Sequence, residues 1–120
     1  HFLAPYDPRH VCAVWDAAHN ALNGEDPDMA LDIVWSHLGM VNLKNAIWKR
    51  MTGPEAEYAC WKVYWTSGRQ GLAVWPDVVT ELKRRAYAGV VCLTAEYSDH
   101  DAVERLIVED MAFARSLSED

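Results

Sequence analysis

Two carboxylates and one imidazole follow apolar segments of this 120-residue chain, in positions suited to proton-transfer chemistry. Asp16 and, three residues later, His19 come directly after the apolar residues 11–15. Glu96 comes directly after a second apolar run, residues 90–95. In parallel α/β folds, the residues just beyond the carboxyl ends of strands face the ligand. The pattern therefore predicts a candidate active site at one edge of a sheet.

Proton transfer beside a carbonyl group requires a base and a cation, and the chain offers two candidate bases, Asp16 and Glu96. A carboxylate removes the proton from carbon, and a cation stabilises the negative charge that develops on oxygen. Each acid also has a simpler structural interpretation. An aspartate at a strand end commonly caps the next turn, and a glutamate there is commonly only solvated.

The first half of the chain predicts a strand, a helix and a second strand. Residues 20–26 are rich in turn formers, and Asp26 followed by Pro27 favours a helix start, so we expect a helix over residues 27–38. Gly39 is expected to end it before a strand at residues 40–43. The helix is expected to bury three side chains: Met29, Ile33 and Trp35.

The second half predicts a weaker strand followed by two helices around a fourth strand. Residues 55–65 indicate a short helix passing into a short third strand, and residues 75–87 a helix that ends at Gly89. After the strand at residues 90–95, Ser98 or Asp99 is expected to cap the last helix. The apolar stripe of that helix comprises Val103, Leu106, Ile107, Met111 and Ala114.

This alternation is typical of parallel βα units, so the predicted class is α/β, with one domain over residues 1–120. Four parallel strands are too few to close a barrel. A lone sheet of four would leave one face and its edges uncovered. We therefore expect the chain to associate with further polypeptide, either the missing half of a barrel or a second copy.

Composition and charge exclude several classes of function. The net charge is −7 and 51% of the residues are hydrophobic, which does not favour nucleic acid as a partner. The basic run Lys83, Arg84 and Arg85 is interpreted as a solvated helix face. No segment has the pattern of a secretory leader or a membrane span, and a cytoplasmic location is expected.

The three cysteines, Cys12, Cys60 and Cys92, have no zinc-type spacing. They are interpreted as buried free thiols in a reducing compartment.

Four segments taken together resemble the sugar phosphate isomerase/epimerase family, the xylose isomerase-like group of TIM barrels. The segments are VWDAAHNALNGED (residues 14–26), HLGMVNLKN (37–45), GRQGLAVWP (68–76) and GVVCLTAE (89–96). Their order and spacing carry the resemblance, rather than a single motif. The resemblance implies parallel βα units corresponding to strands five to eight, the C-terminal half of the barrel.

The resemblance also implies a divalent metal: manganese, magnesium, cobalt or zinc. Its ligands would include Asp16, Asn42 and Glu96, with a further acid from a strand outside this chain. Asn42 stands where the family usually has histidine, and an amide oxygen is a weaker ligand than imidazole for a transition metal. The departure predicts a lower affinity of this site for a transition metal.

Further roles are implied for residues around the metal ligands. Glu96 would act in proton transfer, and His19, Lys44 and Arg69 would contact the substrate. The implied function is a metal-dependent isomerase or epimerase that acts on a sugar, a sugar phosphate or a related polyol. The alternative is a non-catalytic half-barrel or assembly module with a degraded metal site.

Three tryptophans lie in the segment after the second strand: Trp48, Trp61 and Trp65. Tryptophan most often packs in a core, but these side chains could also wall a sugar pocket by stacking.

Overall fold

A computed structural model describes residues 3–119, which form a mixed α/β structure with two small sheets. In chain order the elements are β1 (Ala13–Asp16), α1 (Ala17–Leu22), α2 (Pro27–Val34), β2 (Leu38–Leu43), β3 (Asn45–Arg50), β4 (Trp61–Thr66), α3 (Trp75–Arg84), β5 (Val90–Leu93) and α4 (Val103–Ser118). Single turns of 3-10 helix at Trp35–His37 and His100–Ala102 lead into β2 and α4. The predicted α/β class is confirmed.

The larger sheet is parallel and has the strand order β1, β2, β5. Asp16 pairs with Asn42, and Asn42 pairs with Cys92, so the three strands end side by side. This register brings the segments after β1, β2 and β5 to one edge, as the sequence predicts.

The third predicted strand is present but belongs to a separate antiparallel hairpin of β3 and β4. The prediction that it adds to the parallel sheet is therefore wrong, as is the short helix expected before it. Only Lys44 separates β2 from β3, so the chain continues extended and turns back at residues 51–60. β2 consequently pairs directly with β5.

Helices cover only one face of the parallel sheet. Trp15, Val41 and Leu43 point from the strands into the core. Side chains from the helices and the loop before α3 complete this core: Ala30, Leu31, Ala73, Trp75, Val78, Val79, Leu82 and Ala114. On the other face, Val14 and Val90 are 53% and 62% exposed. The sheet thus has a packed side and an open apolar side.

The orientation of α2 differs from the prediction. Met29 and Ile33 are 68% and 56% exposed, whereas Ala30 and Leu31 are buried. Residues 29 and 33 lie one turn apart on the same side of the helix, opposite Leu31, so both face solvent once Leu31 enters the core. Trp35 does pack against the core, edge-on to Tyr87.

Several helix boundaries also differ. The short helix α1 follows β1 directly and includes residues 20–22 of the expected turn. Gly39 lies inside β2, where a side chain would collide with Cys12. α3 ends at Arg84 rather than near Gly89, because Ala86 has a left-handed φ of 54°. Neither α4 nor the turn before it has a side-chain cap, and Ser98 instead bonds to Trp65.

Two further predictions concern surface residues. Cys12 and Cys60 are exposed and Cys92 is half-buried, so the expectation of buried thiols is wrong for the first two. Arg84 is exposed at the end of α3, but the side chain of Arg85, the C-cap residue, is only 12% exposed, so the expectation of a solvated basic face is wrong for Arg85. Both arginines pair with Glu81 and Asp28. Among the helices of residues 3–119, none combines the length and apolar character needed to cross a lipid bilayer.

Candidate functional site

Lys44 lies at the centre of the edge where the parallel strands end. Its ammonium donates to Glu96 Oε2 at 2.9 Å and lies 3.8 Å from Asp16 Oδ2. The same nitrogen lies 3.8 Å from the centre of the Trp65 ring. The side chain is only 7% exposed, and a buried ammonium requires such partners to offset the loss of hydration.

The backbone at Lys44 is held by hydrogen bonds from other segments. Its carbonyl accepts from Trp75 Nε1 at 3.0 Å. The next residue, Asn45, is buried, and its amide bonds to the backbone of Gly68, Ala73 and Ala46. These bonds attach the turn between β2 and β3 to the loop before α3, which holds the Lys44 side chain over the strand ends.

Asp16 uses its two oxygens differently. Oδ1 accepts from the backbone N–H groups of Ala18 and His19, at 2.9 and 3.1 Å, and so caps α1. Oδ2 faces Lys44. The capping role considered from the sequence is therefore confirmed, and the same carboxylate also reaches the site.

Glu96 approaches Lys44 from the segment after β5. The preceding residue, Ala95, has a φ of 55°, a left-handed conformation that alanine rarely adopts. The following residue, Tyr97, is buried and donates to Asp110 Oδ2 at 2.7 Å. The turn is thereby held from α4, and the Glu96 side chain remains 48% exposed.

Two polar atoms beside Lys44 are buried without a hydrogen-bond partner among the described residues: Asn42 Oδ1 and Thr94 Oγ1. By alternation along β2, Asn42 projects to the open face. Thr94 shares with Lys44 and Glu96 a cavity of about 10 Å³, which is room for one water molecule. A ligand larger than water would therefore have to approach this edge from the exposed sides of Glu96 and His19.

His19 lies at the rim of the site, and Arg69 lies elsewhere. The His19 ring is edge-on to Trp65, with the centroids 5.4 Å apart. The Arg69 guanidinium stacks on Phe113 of α4 at 3.9 Å from the ring centroid, and Phe113 in turn stacks on Trp75. The structure thus brings together Asp16, Lys44 and Glu96 with His19 beside them, and gives Arg69 a packing contact.

The residues as arranged do not fit a divalent metal held jointly by Asp16 and Glu96. The position between the two carboxylates is taken by the Lys44 ammonium, and a second cation there would meet its charge. One Asp16 oxygen is also occupied by the α1 cap. No cluster of three histidine, cysteine, aspartate or glutamate side chains suited to a metal occurs within residues 3–119. The metal implied by the resemblance stays a prediction.

Sequence reasoning missed Thr94 and did not separate Trp65 from Trp48 and Trp61 as a candidate wall of a sugar pocket. The place of Trp65 beside Lys44 and His19 depends on the antiparallel hairpin, so nothing in the sequence distinguishes it. Thr94 could have been found, since it lies two residues before Glu96 at the end of the predicted strand.

Comparison with known proteins adds no family assignment. No protein-family profile matches the chain, and no curated protein sequence matches it at a significant level.

Proposed function

We propose that this chain carries the site of a sugar isomerase or epimerase, acting on a sugar, a sugar phosphate or a related polyol by proton transfer next to a carbonyl. The observation that carries the proposal is the Lys44 ammonium between Asp16 and Glu96, at the carboxyl edge of a parallel sheet. A cation beside a carboxylate supplies the electrophile and the base that this chemistry requires.

The roles follow from contacts and exposure. Glu96, half-exposed, removes or returns the proton on the carbon next to the carbonyl. Lys44 directs its ammonium at the carbonyl oxygen and stabilises the charge that develops there. Asp16 keeps Lys44 in position, and His19 contacts a hydroxyl group at the rim.

We also propose that the three parallel strands are part of a TIM half-barrel. Helices cover one face of the sheet and leave the other open and apolar. In a TIM barrel, helices likewise cover the outer face of the strands, and the inner face is buried only when the barrel closes. The direct pairing of β2 with β5 leaves three parallel strands in the described residues instead of four.

The alternative function, a non-catalytic half-barrel or assembly module, is favoured by one observation. The Lys44 ammonium already pairs with both carboxylates within the chain, and the cavity beside Lys44 and Glu96 has room for a single water molecule. In that case the three side chains form an ion-pair group that only joins the strand ends. The two functions differ in what happens when the charges are removed.

The test is deuterium exchange followed by proton NMR. The chain is incubated in D2O with a panel of aldoses, ketoses and their phosphates, before and after treatment with a chelator and re-addition of manganese. We expect deuterium at the carbon next to the carbonyl, and a loss of about 100-fold or more in the exchange rate for Glu96→Gln. Lys44→Met should lower the rate by a similar factor, since it removes the charge at oxygen.

Glu104→Gln, on the exposed surface of α4, is the matched control and should exchange at the rate of the unaltered chain. Exchange that requires manganese would support the predicted metal and mean that Lys44 moves aside. Absence of exchange with every member of the panel, with or without metal, would favour the non-catalytic alternative.

A further inference from the structure

An elongated cavity lies between the parallel sheet and the two helices α3 and α4. Its volume is about 330 Å³, which falls within the range of roughly 300–1,000 Å³ found for small-ligand sites. Gly89 and Leu93 both line it, so it follows β5 over four residues, or roughly 13 Å of extended strand. Packing in protein interiors leaves few spaces larger than a water molecule, so a cavity of this size is a distinct feature of the fold.

The wall of the cavity is apolar along most of its length. Val91 and Leu93 line it from β5, on the face that packs against the helices. Val79 lines it from α3, and Met111 and Ala114 line it from α4. Val91 and Met111 remain 43% and 40% exposed in this position. Such a recess favours an apolar ligand, because the ligand displaces water that is poorly hydrogen-bonded there.

Two of the described residues that line the cavity are basic, and they lie at one end of it. Lys83 is in the last turn of α3 and Arg115 in the last turn of α4. The Lys83 ammonium donates at 3.1 Å to the carbonyl of Glu119, which follows Arg115 by one turn, so both bases lie at the same end of α4. None of the described lining residues is acidic, although the chain has a net charge of −7. This end of the cavity is suited to an anionic group.

Arg115 is the base that is available to such a group. Its guanidinium makes no hydrogen bond or ion pair with any other of the described residues. The exposed arginines Arg84 and Arg105, in contrast, each pair with a carboxylate. A guanidinium binds a carboxylate through two parallel N–H groups.

The two ends of the cavity differ in polarity. α3 ends at Arg84, shortly before β5 begins, so Lys83 lies near the start of that strand. Leu43 and Leu93, which also line the cavity, are the last residues of β2 and β5. The cavity therefore runs from a basic end beside the start of β5 to an apolar end below the ends of the strands.

We infer that this cavity binds an anionic amphiphile with one unbranched chain, of the class of medium-chain fatty acids. The carboxylate pairs with Arg115 beside Lys83, and the alkyl chain extends along β5 towards Leu43 and Leu93. The inference is independent of the proposed function, because neither Arg115 nor Lys83 has a part in the proton transfer.

The test uses the methyl signals of the chain labelled with 13C at its methionine methyl groups. Decanoate, decanol and decylammonium are titrated separately, below the concentrations at which they form micelles. Met111 reports on the cavity, and Met40 reports on the open face of the sheet, since it alternates with the core residue Val41. Met29 and Met51 are exposed elsewhere. We expect a saturable shift of the Met111 signal with decanoate and no shift of the other three signals.

The affinity should depend on both ends of the ligand. Calorimetry should show decanoate binding about tenfold more tightly than decanol, and decylammonium most weakly. The preference for decanoate should shrink as salt is added. Lengthening the chain from octanoate to decanoate should strengthen binding about tenfold, because two more methylene groups leave water.

The variants separate the charge from the apolar wall. Arg115→Gln should weaken decanoate binding about tenfold and leave decanol binding unchanged. Arg105→Gln, on the exposed surface of the same helix, is its control and should change neither.

Val91→Asp places a charge in the apolar wall and should weaken the binding of both ligands. Val90→Asp, on the other face of the same strand, is the matched control and should leave both affinities unchanged. Because Arg115 is exposed, Arg115→Gln tests the inference even if Val91→Asp does not fold.

Four outcomes would overturn the inference. They are no saturable Met111 shift with decanoate, a decanoate shift confined to Met40, equal affinities for the three decyl probes, and a Met111 shift that follows protein concentration without ligand. The second would move the ligand to the open face of the sheet, and the fourth would mean that a second copy of the chain covers the cavity. The deuterium-exchange test of the proposed function does not depend on any of these results.

Discussion

At the scale of single residues, the site depends on the buried ammonium of Lys44, whose two carboxylate partners are not fully committed to it. Lys44 is 7% exposed, and its closest carboxylate, Glu96, is half in solvent. Asp16 divides its oxygens between Lys44 and the start of α1. Removing one partner of a buried charge costs more than the pair contributes, because the remaining charge stays desolvated. The stability of the chain should therefore be sensitive at position 16.

Asp16→Ala should lower the free energy of unfolding by about 2 kcal/mol or more, since it removes both the helix cap and one partner of Lys44. Asp16→Asn should lower it less, because the amide oxygen can still accept the two cap hydrogen bonds. Urea unfolding gives the difference. Asp26→Ala is the matched control: Asp26 caps α2 through Asp28 N and does not touch Lys44, so a loss of about 1 kcal/mol is expected. Equal losses of unfolding free energy at positions 16 and 26 would mean that Asp16 does not stabilise the buried Lys44 ammonium.

At the scale of elements, α4 holds the two loops that border the site. Asp110 of α4 is 3% exposed and accepts from Tyr97 Oη at 2.7 Å and from Gly68 N at 2.8 Å. One bond fixes the turn that carries Glu96, and the other fixes the loop attached to Asn45. Burial raises the pKa of Tyr97 above its usual 10.0, and the hydrogen bond to Asp110 raises it further. The protonated phenol is thus the form that the folded chain favours.

The raised pKa of Tyr97 predicts a loss of stability on the alkaline side. Below pH 10 the phenol is protonated in both states, and its full contribution is present. As the pH rises above 10, the unfolded chain ionises at Tyr97 while the folded chain does not, so stability is lost. Tyr97→Phe should cost about 1 to 3 kcal/mol at pH 7, because Asp110 loses a donor, and its stability should fall less steeply above pH 10.

Chemical unfolding between pH 7 and 11 measures both effects. Tyr58→Phe, at a side chain 74% exposed, is the control and should follow the unaltered chain. Parallel curves for Tyr97→Phe and the unaltered chain above pH 10 would contradict the assignment.

At the scale of the whole molecule, one face of the parallel sheet remains open. Val14 and Val90 project from it, whereas the opposite face is packed against the helices. Apolar strands exposed on one side favour association, which for a half-barrel is closure by a second half. We therefore expect the isolated chain to associate rather than to remain a stable monomer.

Val90→Asp should weaken this association, because it places a charge on the surface that is buried on pairing, and Val14→Asp should act in the same way. Val108→Asp, at a position 70% exposed on α4, is the matched control and should leave the association unchanged. Light scattering over a range of protein concentrations measures the effect. A monodisperse monomer that melts cooperatively would contradict the prediction.

The sequence by itself determined the elements whose patterns are local. The three parallel strands, the three longer helices and the common edge of Asp16, Lys44 and Glu96 follow from apolar runs, turn residues and the direction of parallel strands. These features depend on neighbours within a few residues, so the chain alone carries the information.

Only the tertiary structure decided which way amphipathic surfaces face and which distant groups meet. The direction of α2 depends on Leu31 entering the core. The hairpin depends on pairing between residues up to 21 positions apart. The contact of Asp16 and Glu96 with the same ammonium depends on where the fold holds Lys44. Such contacts are selected by packing among remote segments, and several arrangements satisfy the same local pattern.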